Sequence, residues 1–288
     1  MELFEGWPRF RRYDQATQHG TVAQIADPPA VTMALNWDAF QPELYWRQNY
    51  AFFRADDRRF LELLREFFGA ESPRTDMKRL GIDVGAGANL YPTLAMLPLC
   101  DEITLMEYGA KNCEWLHNEV QGYSSHWNQF WRLLREKPEY AKFGANVRRR
   151  LARTAKVRQG SLFTLPEQEE RYHVGTMFFV AESITDNAEQ FYGALDAFLA
   201  SLAPGAPFAA AFMRNSDGYV VGDQKFPAFQ IDESDISDYL SGAARDHRCV
   251  AVDQRGQFIN GDNVPDKANT WTLRAGYDGM ILALGHAK

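Results

Sequence analysis

The sequence contains few cysteines and no long apolar run. It has three cysteines in 288 residues, and their number and wide spacing fit neither a disulfide framework nor a pair of zinc ligands: Cys100, Cys113 and Cys249. No stretch is apolar over the length that a signal peptide or a membrane span requires. We therefore expect an intracellular protein of the reducing cytoplasm, without a membrane partner.

Positive charge is also in deficit. The 31 Lys and Arg residues face 38 Asp and Glu residues, which gives a net charge of -7 and an isoelectric point near 5.5. This balance argues against a nucleic-acid backbone as the main partner. The basic cluster at 148–153 is interpreted as a solvated helix face. The histidines lack the spacing of metal ligands and predict no metal site: His117, His126, His173 and His247.

What the chain does contain is an alternation of short apolar runs with helical patterns. Hydrophobic residues make up 45% of the chain, enough for one large core. A helix is predicted from Asp56 to Gly69, where Phe60, Leu64 and Phe68 recur at helical spacing. The alternation predicts an α/β fold with a largely parallel sheet covered by helices on both faces. The predicted strands are Leu80 to Val84, Glu102 to Met106, Val174 to Val180, and Phe208 to Met213.

The chain is divided into an irregular extension, residues 1–35, and a single domain, residues 36–288. Three parts of that domain stand outside the alternation. Residues 36–70 are predicted to form a helical cap, residues 122–155 a helical insertion, and residues 214–230 a hairpin with glycine and aspartate at its turns. We expect the insertion and the hairpin to lie over an active site.

The stretch "DVGAG" predicts a ligand-binding turn. Asp83 ends the first strand, and Gly85 and Gly87 let the backbone approach a ligand at the edge of the sheet. A dinucleotide would require a third glycine where the chain has Leu90. S-adenosylmethionine has no pyrophosphate and does not need it. Glu107, at the end of the next strand, is placed to accept hydrogen bonds from two ribose hydroxyls. A tight turn without a cofactor is the alternative.

Three segments are similar to the family of nicotinamide, phenylethanolamine and thioether methyltransferases. They are "FQPELYWRQNY", "DVGAGANLY" followed by "EYGAKN", and "YVVGDQKF", and the resemblance extends from about Phe40 to the C-terminus. It implies a Rossmann-like class I methyltransferase fold and S-adenosyl-L-methionine as cofactor. Where the family usually has an aspartate near the adenine, this chain has Ser161. The candidate cofactor-binding residues are Tyr45, Tyr50, Asp83, Gly85, Gly87, Tyr91, Glu107, Asn112, Ser161, Leu162 and Phe178.

The same resemblance assigns residues to the substrate. Tyr219 matches a substrate-facing tyrosine, and Glu182 matches an acidic position near the substrate. Glu182 also follows an apolar strand, so it lies at the carboxyl edge of the sheet, where ligands of open α/β folds bind; capping a helix or facing water is its other interpretation. The candidate substrate-binding residues are Tyr45, Glu182, Ser216 and Tyr219. The family's amine-binding positions fall on Phe212, Ser216 and Ala228, which would hold a cationic amine poorly.

Methyl transfer from a sulfonium depends largely on positioning. A pyridine-like nitrogen needs no base, whereas an ammonium or an indole carbon must lose a proton. For that case Glu182 is the candidate catalytic acid/base, with Asp217 in reserve. Aromatic side chains, 14% of the chain, are expected to flank the sulfonium and a flat substrate.

The sequence is therefore interpreted as an S-adenosylmethionine-dependent methyltransferase of a small aromatic or heterocyclic molecule. The resemblance favours nitrogen as the accepting atom. The loss of acidic side chains in the hairpin favours a neutral, electron-rich ring such as an indole, methylated on carbon or nitrogen; sulfur is a third acceptor. The alternative of another class is a catalytically silent protein that binds the cofactor as a sensor or partner subunit. No oligomeric state follows from the sequence.

Overall fold

A computed structural model describes residues 36–71, 77–144, 147–168, 171–260 and 276–288. The predicted extension, residues 1–35, lies outside the described residues. The helices are α1 (Pro42–Asn49), α2 (Ala55–Ala70), α3 (Tyr91–Met96), α4 (Ala110–Gly122), α5 (Trp127–Leu134), α6 (Pro138–Ala141), α7 (Val147–Thr154), α8 (Ala188–Ala200) and α9 (Glu233–Ala243). The strands are β1 (Leu80–Val84), β2 (Glu102–Glu107), β3 (Ala155–Gln159), β4 (Val174–Phe178), β5 (Pro207–Arg214), β6 (Tyr219–Val221), β7 (Gln224–Phe226), β8 (Ala244–Val252) and β9 (Gly279–Ala287).

Seven strands form one mostly parallel sheet in the order β3-β2-β1-β4-β5-β9-β8. The first five strands of this order run parallel, and β9 pairs antiparallel with both β5 and β8. The predicted α/β fold is therefore confirmed, including the four predicted strands. Strands β3, β8 and β9 were not predicted. The strand order changes direction between β1 and β4. At such a point the carboxyl ends of a parallel sheet leave a crevice for ligands.

The strands are apolar because both faces of the sheet are covered. Every residue of β4 and β5 is buried. One core, which includes Phe60, Leu94 and Trp127, lies on one face, and a second core, which includes Phe191 and Phe198, lies on the other. Parallel strands buried in this way read as continuous apolar runs instead of alternating ones. The helices thus hold the sheet rigid beneath the crevice.

Helix α2 has the predicted apolar stripe, and it also begins with two buried carboxyl groups. Asp56 accepts a hydrogen bond from Arg54 (3.0 Å) and one from the hydroxyl of Tyr277 (3.1 Å). The side chain of Asp57 interacts with that of Tyr91. Burial, together with the neighbouring charge of Asp56, raises the pKa of Asp57 to about 8. The protonated form of Asp57 is therefore favoured at pH 7.

The segment predicted as a helical insertion contains α5, α6 and α7, and its last residue begins β3. It joins the core through aromatic side chains. The ring centroid of Trp127 lies 6.2 Å from that of Tyr50, and Phe130 stacks on Tyr91 at 5.7 Å. The indole nitrogen of Trp46 donates to Nε2 of His126 at 2.6 Å. These contacts connect helix α1 to the body of the domain.

The predicted hairpin consists of β6 and β7, which pair antiparallel and place Tyr219 opposite Phe226. Their rings stack at 4.9 Å, and Phe40 meets Phe226 at 5.4 Å. At the hairpin turn Gly222 has φ +59°, and a Cβ there would lie 2.5 Å from the side-chain amide of Gln41. We call residues 37–50 together with the hairpin 219–226 the roof. Within the described ranges, every helix is too short or too polar to reach across a bilayer.

Candidate functional site

The roof and the carboxyl ends of β1 to β4 line a cavity that opens to solvent, with about 930 Å³ of empty space when the open solvent at its mouth is included. Loops after β1 and β2 line one part of it, the loop after β3 lines its far end, and the turn after β4 lines the opposite end with the roof. The described lining residues are Trp37, Phe40, Tyr45, Tyr50, Gly85, Ala86, Gly87, Ala88, Asn89, Met106, Glu107, Tyr108, Asn112, Gly160, Ser161, Leu162, Phe163, Phe178, Phe179, Val180, Ser183, Ile184 and Tyr219.

The glycine turn after β1 forms the floor of the cavity. Gly85 has φ +62° and Gly87 has φ +52°, in the left-handed region that disfavours side chains. A Cβ at Gly85 would lie 2.5 Å from Cγ2 of Val180, whereas a Cβ at Gly87 would have no neighbour nearer than 3.7 Å. Gly85 is therefore required by its backbone conformation and by packing, and Gly87 by its conformation alone.

Glu107 connects the glycine turn to the loop after β2. Its Oε2 accepts a hydrogen bond from the amide of Gly87 and its Oε1 one from the amide of Gly109, both at 2.9 Å. Burial raises the pKa of Glu107, and the two backbone donors oppose that rise. Each carboxylate oxygen has a second lone pair. The side chain is thus held rigidly with acceptor capacity toward the cavity.

Two asparagine side chains in the lining carry buried polar atoms that have no protein partner. Asn89 accepts from the amide of Tyr91 with Oδ1 (3.1 Å), but its Nδ2 has no hydrogen bond. Asn112 is hydrogen-bonded to Glu107, but its Oδ1 has no partner. Buried polar groups in native proteins are normally satisfied. The cavity wall therefore offers one hydrogen-bond donor and one acceptor to a ligand.

The far end of the cavity follows strand β3. Ser161 and Leu162 line it as predicted, with Tyr108 and Phe163 beside them. The hydroxyl of Ser161 accepts from the amide of Phe163 at 3.3 Å and caps a short 3-10 helix. Apolar and aromatic side chains dominate this end, which suits a flat heterocycle.

The opposite end follows strand β4. Phe179 has φ +60°, a strained conformation for a bulky residue, and it is held by a hydrogen bond from its amide to the carbonyl of Ala211 (2.7 Å). This turn presents Phe179, Val180, Ser183 and Ile184 to the cavity. The hydroxyl of Tyr219, from the roof, lies 3.4 Å from the carbonyl oxygen of Ser183.

Comparison with known sequences decides which group this site belongs to. The model of the NNMT/PNMT/TEMT family matches residues 31–265, which is most of the chain. The chain belongs to the NNMT/PNMT/TEMT family. It is accordingly a member of a family of class I methyltransferases, and its methyl donor is S-adenosylmethionine. A search of curated proteins found no matching sequence.

The chain is similar, at low identity, to several solved structures. They include the N-methyltransferase NodS from Bradyrhizobium japonicum WM9 in complex with S-adenosyl-l-homocysteine, at 12% identity and a TM-score of 0.48, covering 89% of this chain and 98% of that one. A structure described as a DhpI-SAM-HEP complex has 9% identity and a TM-score of 0.49, covering 90% and 98%. The glycopeptide N-methyltransferase MtfA with S-adenosyl-L-methionine has 12% identity and a TM-score of 0.44, covering 79% and 94%.

The cavity fits the cofactor of the NNMT/PNMT/TEMT family. Glu107 holds a fixed carboxylate that suits ribose hydroxyls, and Gly85 and Gly87 present bare backbone to the cavity, which leaves room for a ligand close to the main chain. The unpaired atoms of Asn89 and Asn112 supply a further donor and acceptor. Nine of the eleven predicted cofactor-binding residues line the cavity: Tyr45, Tyr50, Gly85, Gly87, Glu107, Asn112, Ser161, Leu162 and Phe178.

Two predicted cofactor-binding residues lie behind the cavity wall. Asp83 is buried and accepts hydrogen bonds from the hydroxyls of Thr93 (2.6 Å) and Thr176 (2.8 Å). Burial raises its pKa to about 7, against the effect of these two donors. Tyr91 is fully buried, and its ring meets that of Phe178 edge-on at 5.6 Å. Both side chains pack behind the residues that line the cavity.

Of the predicted substrate-binding and catalytic residues, Tyr45 and Tyr219 line the cavity, whereas Glu182, Ser216 and Asp217 do not. Glu182 is fully buried behind Ser183. Ser216 is buried and its hydroxyl accepts from the amide of Gly218 (3.3 Å). Asp217 is exposed and accepts a hydrogen bond from Gln230. Phe212 and Ala228, at the family's amine-binding positions, also lie outside the lining.

Several lining residues were missed from the sequence. Ser183 and Ile184 follow Glu182 directly, so the position of the turn after β4 was a usable signal for them. Asn89 lies next to the motif glycines and could have been included for the same reason. Trp37, Tyr108 and Phe163 gave no signal beyond being aromatic, because their place in the cavity depends on how three separate loops converge.

Proposed function

We propose that this member of the NNMT/PNMT/TEMT family methylates a small aromatic or heterocyclic molecule, with nitrogen as the preferred accepting atom. One observation carries the proposal. Among the described residues that line the cavity, Glu107 is the single charged side chain, and it lies at the ribose end. The acceptor end is lined by aromatic and aliphatic residues and by the uncharged Ser183, which favours a flat and uncharged molecule.

In this proposal Glu107 binds the ribose hydroxyls and the glycine turn passes beneath the methionine portion. S-adenosylmethionine supplies, when bound, an electrophilic methyl group on a positively charged sulfur. Tyr45, Tyr50 and Phe178 line the cavity, and an aromatic ring face attracts a cation by about 0.5–2 kcal/mol. The protein's contribution is to exclude water and to hold donor and acceptor in line, worth roughly 7–11 kcal/mol.

A second candidate reaction is methylation of a ring carbon in an electron-rich heterocycle such as an indole. The absence of a carboxylate from the described lining at the acceptor end favours it over methylation of an alkyl ammonium group. A cationic amine moved into this end would lose its hydration without gaining a counter-ion, which is strongly unfavourable. A catalytically silent cofactor-binding protein is the competing function.

The test is release of S-adenosylhomocysteine from purified protein mixed with S-adenosylmethionine and a panel of pyridines, azoles, indoles, thiols and alkyl amines. We expect turnover with uncharged aromatic heterocycles and little with alkyl amines. Glu107→Ala should lose activity at limiting cofactor, whereas Glu114→Ala, on the exposed face of α4, serves as the matched control. Thermal stabilisation by cofactor without turnover of any panel member would instead establish a cofactor-binding protein.

A further inference from the structure

A second depression, in the helical insertion, is lined by positive charge. Its described lining consists of one aromatic and four cationic residues: Phe143, Lys142, Arg149, Arg150 and Arg153. The empty space amounts to about 600 Å³ when the open solvent at its mouth is included. The described residues that line the cavity of the candidate functional site include none of these five. We call this feature the basic depression, and it is separate from the site of methyl transfer.

Helix α7 explains why three arginines meet in the basic depression. Its buried face is formed by three residues at helical spacing: Val147, Leu151 and Thr154. This face fixes the rotation of the helix against the domain. Arg153 follows Arg149 by four residues and Arg150 by three, so both are its neighbours on the helix surface. The guanidinium carbon of Arg148, in contrast, lies 5.2 Å from the ring centroid of Tyr123. Three of the four arginines in the basic cluster thus converge on one place.

Neutral groups hold two of these cations in place. The ring centroid of Phe143 lies 5.5 Å from Cζ of Arg150 and 5.2 Å from Nζ of Lys142. One nitrogen of Arg150, Nη2, donates to the carbonyl of Cys100 (2.5 Å), while its buried Nε has no hydrogen-bond partner. A ring face or a carbonyl orients a cation and leaves its charge uncompensated. Lys142 and Arg150 are therefore positioned with their full positive charge.

Within the described ranges, no carboxylate lines the basic depression, and the ion pairs all use other cations. The carboxylate of Asp101, which follows Cys100, accepts from the amide of Arg79 (2.9 Å). Residues 140–166 contain no Asp or Glu and seven cationic residues: Lys142, Arg148, Arg149, Arg150, Arg153, Lys156 and Arg158. Like charges placed together repel one another, and an anion between them reverses that cost.

We propose that the basic depression binds a small free anion that carries two or more phosphate groups. Guanidinium groups bind phosphate through pairs of parallel hydrogen bonds, and the ammonium of Lys142 adds a point charge. The charge of the remaining chain favours a compact ligand, because outside residues 140–166 only 24 lysines and arginines face all 38 acidic residues. An anionic membrane or a long nucleic-acid strand would also meet that acidic remainder. This inference goes beyond the proposed methyltransferase function and does not depend on it.

The binding test is calorimetric titration of the full chain with sodium tripolyphosphate, in the presence of saturating S-adenosylhomocysteine so that the cavity is filled. We expect binding that weakens as salt is added. Arg149→Gln/Arg153→Gln should lower the affinity by about 10-fold or more, through loss of charge-assisted hydrogen bonds, while glutamine preserves helix propensity. Arg132→Gln/Arg135→Gln is the matched control: it removes the same charge from exposed positions in the same insertion and should bind as wild type does. Thermal denaturation reports whether each variant is folded.

A second probe identifies the source of the phosphate. Vesicles of phosphatidylcholine and phosphatidylserine are sedimented with the protein, and we expect the protein to stay in solution. Sedimentation with vesicles that Arg149→Gln/Arg153→Gln abolishes, without binding of tripolyphosphate, would replace the small anion by a lipid surface. Tripolyphosphate affinity that is equal in the two double variants, or no binding by wild type, would also overturn the inference. Failure to methylate any acceptor would refute the proposed function and leave this binding result unchanged.

Discussion

Replacing Gly85 with alanine tests whether the glycine turn is held by packing as well as by backbone conformation. An L-residue at φ +62° costs about 1–2 kcal/mol. The new Cβ would lie 2.5 and 2.9 Å from the two methyl groups of Val180, and relieving such overpacking costs about 1–3 kcal/mol. The expected loss in the free energy of unfolding is therefore roughly 2–5 kcal/mol.

Gly87→Ala is the matched control, because it introduces the same methyl group two residues away at φ +52° with no neighbour nearer than 3.7 Å. Its cost should be the conformational part alone, about 1–2 kcal/mol. Urea denaturation of both variants, without cofactor, measures the difference.

Val180→Ala completes a double-mutant cycle with Gly85→Ala. Removing both Cγ atoms of Val180 should recover the packing part of the loss, with a coupling energy of about 1–3 kcal/mol. Cβ of Val180 would remain 3.3 Å from the new Cβ, so a small part of the packing cost should persist. Equal destabilisation by the two glycine substitutions, or additive effects in the cycle, would refute the packing argument.

Three further predictions concern the buried polar groups. Glu107→Ala should weaken cofactor binding by about 1–3 kcal/mol, through loss of acceptors for the ribose hydroxyls, and an unchanged dissociation constant in calorimetry would contradict this role. The pKa of Asp57 is raised to about 8 in the folded protein, so the stability that its neutral form contributes is complete below about pH 4 and is lost as the pH rises through 8. When the pH is raised from 5 to 9, the free energy of unfolding of Asp57→Asn should thus increase relative to that of wild type by on the order of 2–5 kcal/mol. An equal change in the two proteins over this range would exclude a buried acid of raised pKa. Burial lowers the pKa of His126 below its usual 6.5, so the hydrogen bond from Trp46 is present above that pH and lost as the pH falls through the folded pKa. In urea denaturation, Trp46→Phe should cost about 1 kcal/mol at pH 7.5 and less at a pH at which NMR titration shows folded His126 to be protonated; an equal cost at both pH values would disprove the coupling.

The elements that could be predicted are those with a hydrophobic pattern that is local in sequence. Strands β1, β2, β4 and β5 and helix α2 each have a contiguous apolar run or stripe. Strand β3 is polar on an exposed edge and gives no such signal. Strand β9 is an apolar run of nine residues, but its antiparallel place between β5 and β8 depends on pairing across the chain. Composition carries no information on that pairing.

The same distinction holds at the site. Gly85, Gly87 and Glu107 could be placed because turn and strand end lie close in sequence. The environment of Asp83 could not, since its two hydroxyl partners come from α3 and β4. A lone carboxylate at a strand end looks the same in sequence whether it faces a ligand or is enclosed by threonines. For Glu182 the sequence indicated the correct edge of the sheet, but a step of one residue decides whether a side chain faces the cavity.

The aromatic contacts within the roof bear on how molecules enter and leave. Phe40 and Trp37 from the cap pack on Phe226 of the hairpin, so the two parts share one apolar cluster. Separating them would expose this cluster to water, whereas tilting them together leaves it intact. We therefore expect the cap and the hairpin to move as one unit when a ligand passes beneath them.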